Sequence, residues 1–291
     1  MSPKKSRTKN PSRNLAAGVT SNDRVRYYKR WSRPDHPGDP NQMKKLLLSL
    51  VLASLAAGVA AAQGPQPQSQ EEINALIAVQ NAADPNAKIE AGQALLKDFK
   101  DTEFKAWTNL QMMIAAQQLN DYERLMVFGQ ETLSHDPTEV GALLTLAEVI
   151  PMRTQEFDLD KEEKLNQAED YAKQALKVIP VKSNPNPEQI PEEQWLMAKK
   201  DFMATANKAL GLVESKRGNT DDAVGYFQQS LEVAAQQDPS VFYFMAEAYQ
   251  KDGKKAEALD AINKSIAAGG LPMGNGTNAA DVLKEKIEAM N

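Results

Sequence analysis

ATANKALGLVESKRGNTDDAVGYFQQSLEVAAQQDPSVFYFMAEAYQKDGKKAEALDAINKSI, residues 204–266, states nearly one pattern twice. The first copy carries Ala206, Leu210, Gly211, Gly218, Ala223, Phe227 and Leu231; the second carries Phe242, Met245, Ala246, Tyr249, Gly253, Ala258, Ile262 and Ile266. Gly218 and Gly253 are 35 residues apart, as are Ala223 and Ala258. That is close to the period of helix-turn-helix repeats. Phe202, Ala206, Leu210 and Val213 recur at three or four residues, so they share one stripe of a helix. Gly218 stops it, because glycine accepts the left-handed conformation that helix ends favour. Asn219 or Thr220 is placed to cap the next helix, whose stripe is Ala223, Phe227, Leu231 and Ala234. Small residues let two helix backbones approach closely. Gly211 is expected to face Ala223, and Ala246 to face Ala258, with Phe227 and Ile262 filling the next gap.

These residues resemble the tetratricopeptide repeat (TPR) pattern: a Gly or Ala in the first helix, an Ala then an aromatic in the second, and a Pro near the repeat end. The chain departs from it at Asn207 and Phe242, where a Trp is usual, and at Ile262, where an aromatic is usual. The resemblance implies an all-α superhelix whose first helices line a concave face that holds a protein or peptide. Gly211, Ala223, Phe227, Ala246, Tyr249 and Ala258 would pack the repeats. Thr205, Lys208, Leu212 and Ser215 would line the concave face in the first copy, and Ser240, Tyr243, Glu247 and Gln250 in the second. A ring at Tyr243 and a cation at Lys208 would suit an extended peptide. Leu212 stands where the chaperone-binding members of the family use Asn, which disfavours that ligand.

Outward from the two copies, the chain from residue 71 to 291 reads as about five hairpins and a terminal capping helix. Ile73, Leu76 and Ile77 mark a first helix, and Asp84-Pro85 ends it and caps a second. Phe104 to Leu119 follows, with Trp107, Leu110 and Ile114. Asn120-Asp121 then leads through Leu125, in place of the usual alanine, and Phe128 to Asp136-Pro137. Val140 to Ile150 makes another helix that Pro151 is expected to close, and residues 152–160 form a long loop. Leu165, Ala168, Ala172 and Ala175 mark the returning helix. A Pro/Asn linker at 181–190 precedes a long helix opened by Pro191-Glu192-Glu193. Asn278 caps the last helix, striped by Val282, Leu283 and Ile287. Trp107, Trp195 and the Met112-Met113 pair read either as a sticky patch or as core, and core packing is the favoured reading for the tryptophans.

The N-terminal part is different in kind. The formal net charge of −5 hides a division: residues 1–42 hold 10 Lys/Arg against 3 Asp/Glu, and residues 63–291 hold 22 against 36. The basic stretch, short of aliphatic residues, is expected to be a disordered extension, with Met43 as the true start. Residues 43–62 read as a secretory signal: Lys44-Lys45, the apolar run Leu46 to Val59, then Ala60-Ala61-Ala62. An uncleaved membrane anchor is the alternative, giving membrane contact through 46–62 and a structural subunit of an envelope assembly. Residues 63–70 form a Gln/Pro linker. Either way the repeats are expected outside the inner membrane, periplasmic or secreted.

Chemistry is scarce. There is no cysteine, which removes disulfides, thiol nucleophiles and a lipidated cysteine. His36 and His135 are the two histidines, and His135 suits a helix C-terminus. Glu162-Glu163 and Glu192-Glu193 sit in first helical turns, opposite the helix dipole. Catalytic residues, metal and cofactor are all expected to be absent, with a protein or peptide as the partner and no nucleic acid.

Overall fold

The structure is a computed structural model that describes residues 64–273 and 276–291. The expected extension, the signal or anchor and residue 63 of the linker lie outside the described residues. Among the described residues eleven α-helices follow one another: α1 Gln70–Gln80, α2 Pro85–Asp98, α3 Lys105–Leu119, α4 Tyr122–His135, α5 Val140–Arg153 and α6 Lys161–Val178. A 3-10 turn, Ile179–Val181, leads to α7 Glu192–Arg217, α8 Thr220–Val233, α9 Pro239–Lys251, α10 Lys255–Ala267 and α11 Ala279–Glu288. They pair as five antiparallel hairpins, α1–α2 to α9–α10, with α11 closing the end.

Local chemistry sets most helix starts. The Asp84 carboxylate accepts from the amides of Asn86 and Ala87, Asp121 from Arg124, Asp238 from Ser240, and Asn278 from Ala280. Ser69 does the same for α1, so that helix takes in Gln70. Gly218 ends α7 at φ 87°. Two expectations at helix ends need correction. Asn219 stands at the start of α8, but neither it nor Thr220 provides a side-chain cap; the Asn219 amide donates instead to Glu214. Pro151 does not close α5, which runs on to Arg153. A proline near the C-terminus forfeits a single amide. The next turn is held by the amide and hydroxyl of Thr154, both donated to Ile150.

Small residues bring the helices together. Ala223 and Ala258 are wholly buried, as are Ala246, Phe227 and Ile262. Gly211 meets the Phe227 ring: a methyl built on Gly211 would lie 2.5 Å from Phe227 Cε1. Phe227 then stacks on Phe244 of the next hairpin at 6.4 Å. Tyr249 is half-buried against the same cluster. The fully buried Phe227 contributes about 1.5–3 kcal/mol by burial.

Between hairpins the packing is lopsided. Each first helix packs on the second helix of the hairpin before it and also touches that hairpin's first helix; successive second helices pack against each other slightly or not at all. First helices therefore crowd one side and second helices splay on the other, which curves the stack. Polar ties run along it. Arg217 of α7 reaches back to α6, bonding Glu169 at 2.7 Å and Asn166 at 2.6 Å. Leu283 and Ile287 of α11 cover the last hairpin.

Candidate partner-binding surface

The inner side is where the first helices gather, and its openness differs from helix to helix. On α3 the buried positions are Thr108, Asn109, Gln111, Met112, Met113, Ala115 and Ala116. Its neighbours α1, α2, α4 and α5 cover those faces. Gln118 is exposed, and among the half-buried positions Trp107, Leu110, Ile114 and Gln117 form one stripe, with Trp107 and Leu110 resting against neighbouring cores. Leu110 reaches the start of α5, its Cδ1 lying 3.6 Å from the place of a methyl on Gly141. On α5 the open stripe continues through Gly141, Thr145 and Glu148, which are small or polar.

α3 buries three polar side chains, Thr108, Asn109 and Gln111, beside Met112, Met113, Ala115 and Ala116. Polar side chains point inward, and each needs a partner there. Thr108 donates its hydroxyl to the Phe104 carbonyl at 2.8 Å, and Asn109 its amide to the Lys105 carbonyl at 3.0 Å. Trp107, Leu110 and Ile114 are half-buried on the opposite side. Met112 and Met113 are core, and so is Trp195, packed edge-on to Phe202 at 6.3 Å. Trp107 is only half-buried.

Further along, the inner side closes. Lys208, placed by sequence as a free cation for a peptide, is 7 % exposed. Its ammonium lies 2.7 Å from Glu148 of α5 and 2.8 Å from Asp238, the residue that opens α9. One lysine thus ties three consecutive hairpins. Burial pushes the Asp238 carboxyl up, but the Lys208 charge and the hydrogen bonds from Lys208 and Ser240 outweigh it and hold the group below the usual carboxylate range. Leu212 is buried in the same core cluster as Met152, Val241 and Phe244. Tyr243, the expected stacking ring, is 2 % exposed, packed edge-on to Phe244 at 5.5 Å with its hydroxyl 3.2 Å from Glu247. These three residues therefore present no free surface, because α9 docks on the part of α7 that the pattern left open. Ser240 is buried too. Thr205, Ser215, Glu247 and Gln250 remain half-buried, and the Thr205 hydroxyl is used by the Asp201 carbonyl at 2.9 Å. Asp201 in turn accepts the amides of Ala235 and Gln236, while burial pushes its carboxyl up.

The missed residues are Leu110 and Ile114. Their spacing with Trp107 marks an apolar stripe, but a stripe reads alike whether a core or a partner covers it. The available signal was the second stripe of the same helix, Thr108, Met112 and Ala115, which is equally continuous.

The fold is a TPR-like solenoid. No protein-family model matches the chain, and no curated protein does. Among solved structures it is similar to a thermophilic TPR protein of Thermus thermophilus, with 19% identity over 75% of this chain and 98% of that one, at a TM-score of 0.48. No helix among the described residues of this solenoid is long and apolar enough to cross a membrane.

Proposed function

We propose that the protein is an exported, non-enzymatic scaffold that holds a protein or peptide partner along the inner side of the solenoid, beginning at α3. The observation that carries this reading is the half-buried apolar stripe of Trp107, Leu110 and Ile114 on the inner helix α3. Apolar area left partly in water on that stripe costs stability, and a partner that covers it recovers the cost. The partner's contacting face is therefore apolar, as on an amphipathic helix or an extended segment with alternate apolar residues. Beyond α3, Gly141 and Thr145 of α5 continue the same side with small or polar surface. Export rests on the lysine pair, apolar run and alanine triplet at 43–62. Membrane extraction separates its two versions: a cleaved protein leaves the membrane with carbonate, and an anchored one needs detergent.

Photo-cross-linking in living cells tests the inner side. A photoreactive phenylalanine analogue at Ile114 is compared with one at Val127, an exposed residue of the second helix α4. Adducts with a discrete partner from position 114 and not from 127 support the reading. Adducts of equal yield from both, or from 127 alone, remove it.

A further inference from the structure

The cleaved version of the export reading fixes which residue comes first. A signal peptidase cuts after small side chains at the third and first positions before the break, here Ala60 and Ala62, and the next residue is Gln63. A glutamine at the start of a chain carries its own electrophile. Its α-nitrogen and its side-chain Cδ close a five-membered ring, and the side-chain amide nitrogen is the leaving group.

The described chain takes over at the next residue and leaves that end open to water. Gly64, Pro65 and Gln66 are exposed, and nothing lies within 4 Å of the place where Gly64 would carry a side chain. Among the described residues the first hydrogen bond to the body of the fold is that of Gln66, whose backbone amide donates to the Glu103 carboxylate at 2.9 Å. Three residues of chain, about 10 Å at full stretch, separate Gln63 from Gln66. Glu103 stands four residues before Trp107, at the head of the α3 stripe. The linker 63–70 holds no charged side chain, so a free terminal ammonium would be its only charge.

We propose, resting on that cleaved version, that Gln63 is a modification site: the α-nitrogen attacks the side-chain carbonyl, and the exported chain begins with a pyroglutamyl ring. The bond from the α-nitrogen to Cδ forms and the bond from Cδ to Nε2 breaks. Nε2 leaves as ammonia with the proton that the amine gives up, and nothing is oxidised or reduced. An α-amine has an ordinary pKa of about 7.7–8.0, so near neutral pH part of it is unprotonated and able to attack. The ring nitrogen is an amide, so the terminal positive charge is gone. No ammonium then competes with the Gln66 amide for Glu103, and an enzyme that trims chains from a free amine finds none.

The first peptide tests this. The protein, purified as its host produces it, is read at once by mass spectrometry and by Edman degradation. The expected peptide begins at residue 63, is lighter by one ammonia than the encoded sequence, and yields no residue until a pyroglutamyl peptidase removes the ring; Gly64 is then read first. Gln63→Asn is expected to begin at the same position with a readable amine, because the shorter side chain could close only a strained four-membered ring. A chain that begins at 63 with a free glutamine amine overturns the proposal and leaves export standing. So does a ring that forms only during storage, or an asparagine variant that is blocked in the same way. A chain that keeps residues 43–62 overturns both the proposal and the cleavage it rests on, and a chain that begins at any other residue overturns the proposal alone.

Discussion

Replacing Lys208 by methionine keeps an unbranched stem of similar length and deletes the charge. Glu148 and Asp238 then face each other's side of the inner surface with no cation between them. The lysine side chain is 9% accessible, and its partners are 16% and 28% accessible. Removing one member of a buried ion pair costs about 3–5 kcal/mol. Both carboxylates keep part of their water, which screens them, so the lower end applies, about 3 kcal/mol. For a folded region of this size that lowers the melting temperature by about 6–12 °C. A solenoid can open piece by piece, so circular dichroism melts are paired with hydrogen exchange of the amides at the start of α9. The loss is expected to concentrate there, where Asp238 caps the helix. Adding Glu148→Met to Lys208→Met is expected to restore at least half of it, since an apolar pair replaces a broken ionic one. A single methionine variant as stable as wild type, with unchanged exchange at α9, would refute the reasoning.

Two further outcomes follow from the same geometry. Because the folded Asp238 carboxyl is held below its ordinary value, its contribution to stability is present above about pH 4 and is lost as pH falls through the lower folded value. Asp238→Asn keeps the cap but is expected to be less stable than wild type at neutral pH, with the gap closing in urea titrations as pH drops below about 4. Gly211→Ala puts a methyl 2.5 Å from Phe227 Cε1 in a fully buried setting. Overpacking costs about 1–3 kcal/mol and the gain in helix propensity returns about 1, so the variant is expected to be destabilised on balance. In a Phe227→Leu background the same change becomes neutral or favourable, which chemical denaturation of the four variants reads directly.

The hairpins were legible because their determinants are short-range. Asp84-Pro85, Asp238-Pro239 and Asn278 cap their helices within three residues, and a small side chain at Ala223 or Ala258 admits one kind of neighbour. Contacts from far along the chain were not legible. Nothing near Lys208 in sequence announces Glu148 or Asp238, so a lysine on an apparently open stripe read as a ligand for something outside. Tyr243 and Leu212 failed for the same reason: the register marks which way a residue points, and the docking of α9 decides whether anything is left uncovered there. On α3 the difficulty runs the other way. Hydrophobicity reports that Trp107, Leu110 and Ile114 want covering, but it does not distinguish a neighbouring helix from a partner. Pro151 misled because a proline ends a helix only when its turn has no other support, and Thr154 supplies that support twice.

The most direct measurement uses the absence of cysteine from the natural chain. Single cysteines at Ile114, Val127 and Leu212 are labelled with a maleimide, first in purified protein and then in unfractionated host extract. The purified protein is expected to label at 114 and 127 and only slowly at 212, where α9 covers α7. In extract, position 114 is expected to be protected severalfold while 127 is unchanged. Equal labelling of 114 and 127 in extract, or fast labelling at 212 in the purified protein, would contradict an inner side that is open to a partner at α3 and shut at α7.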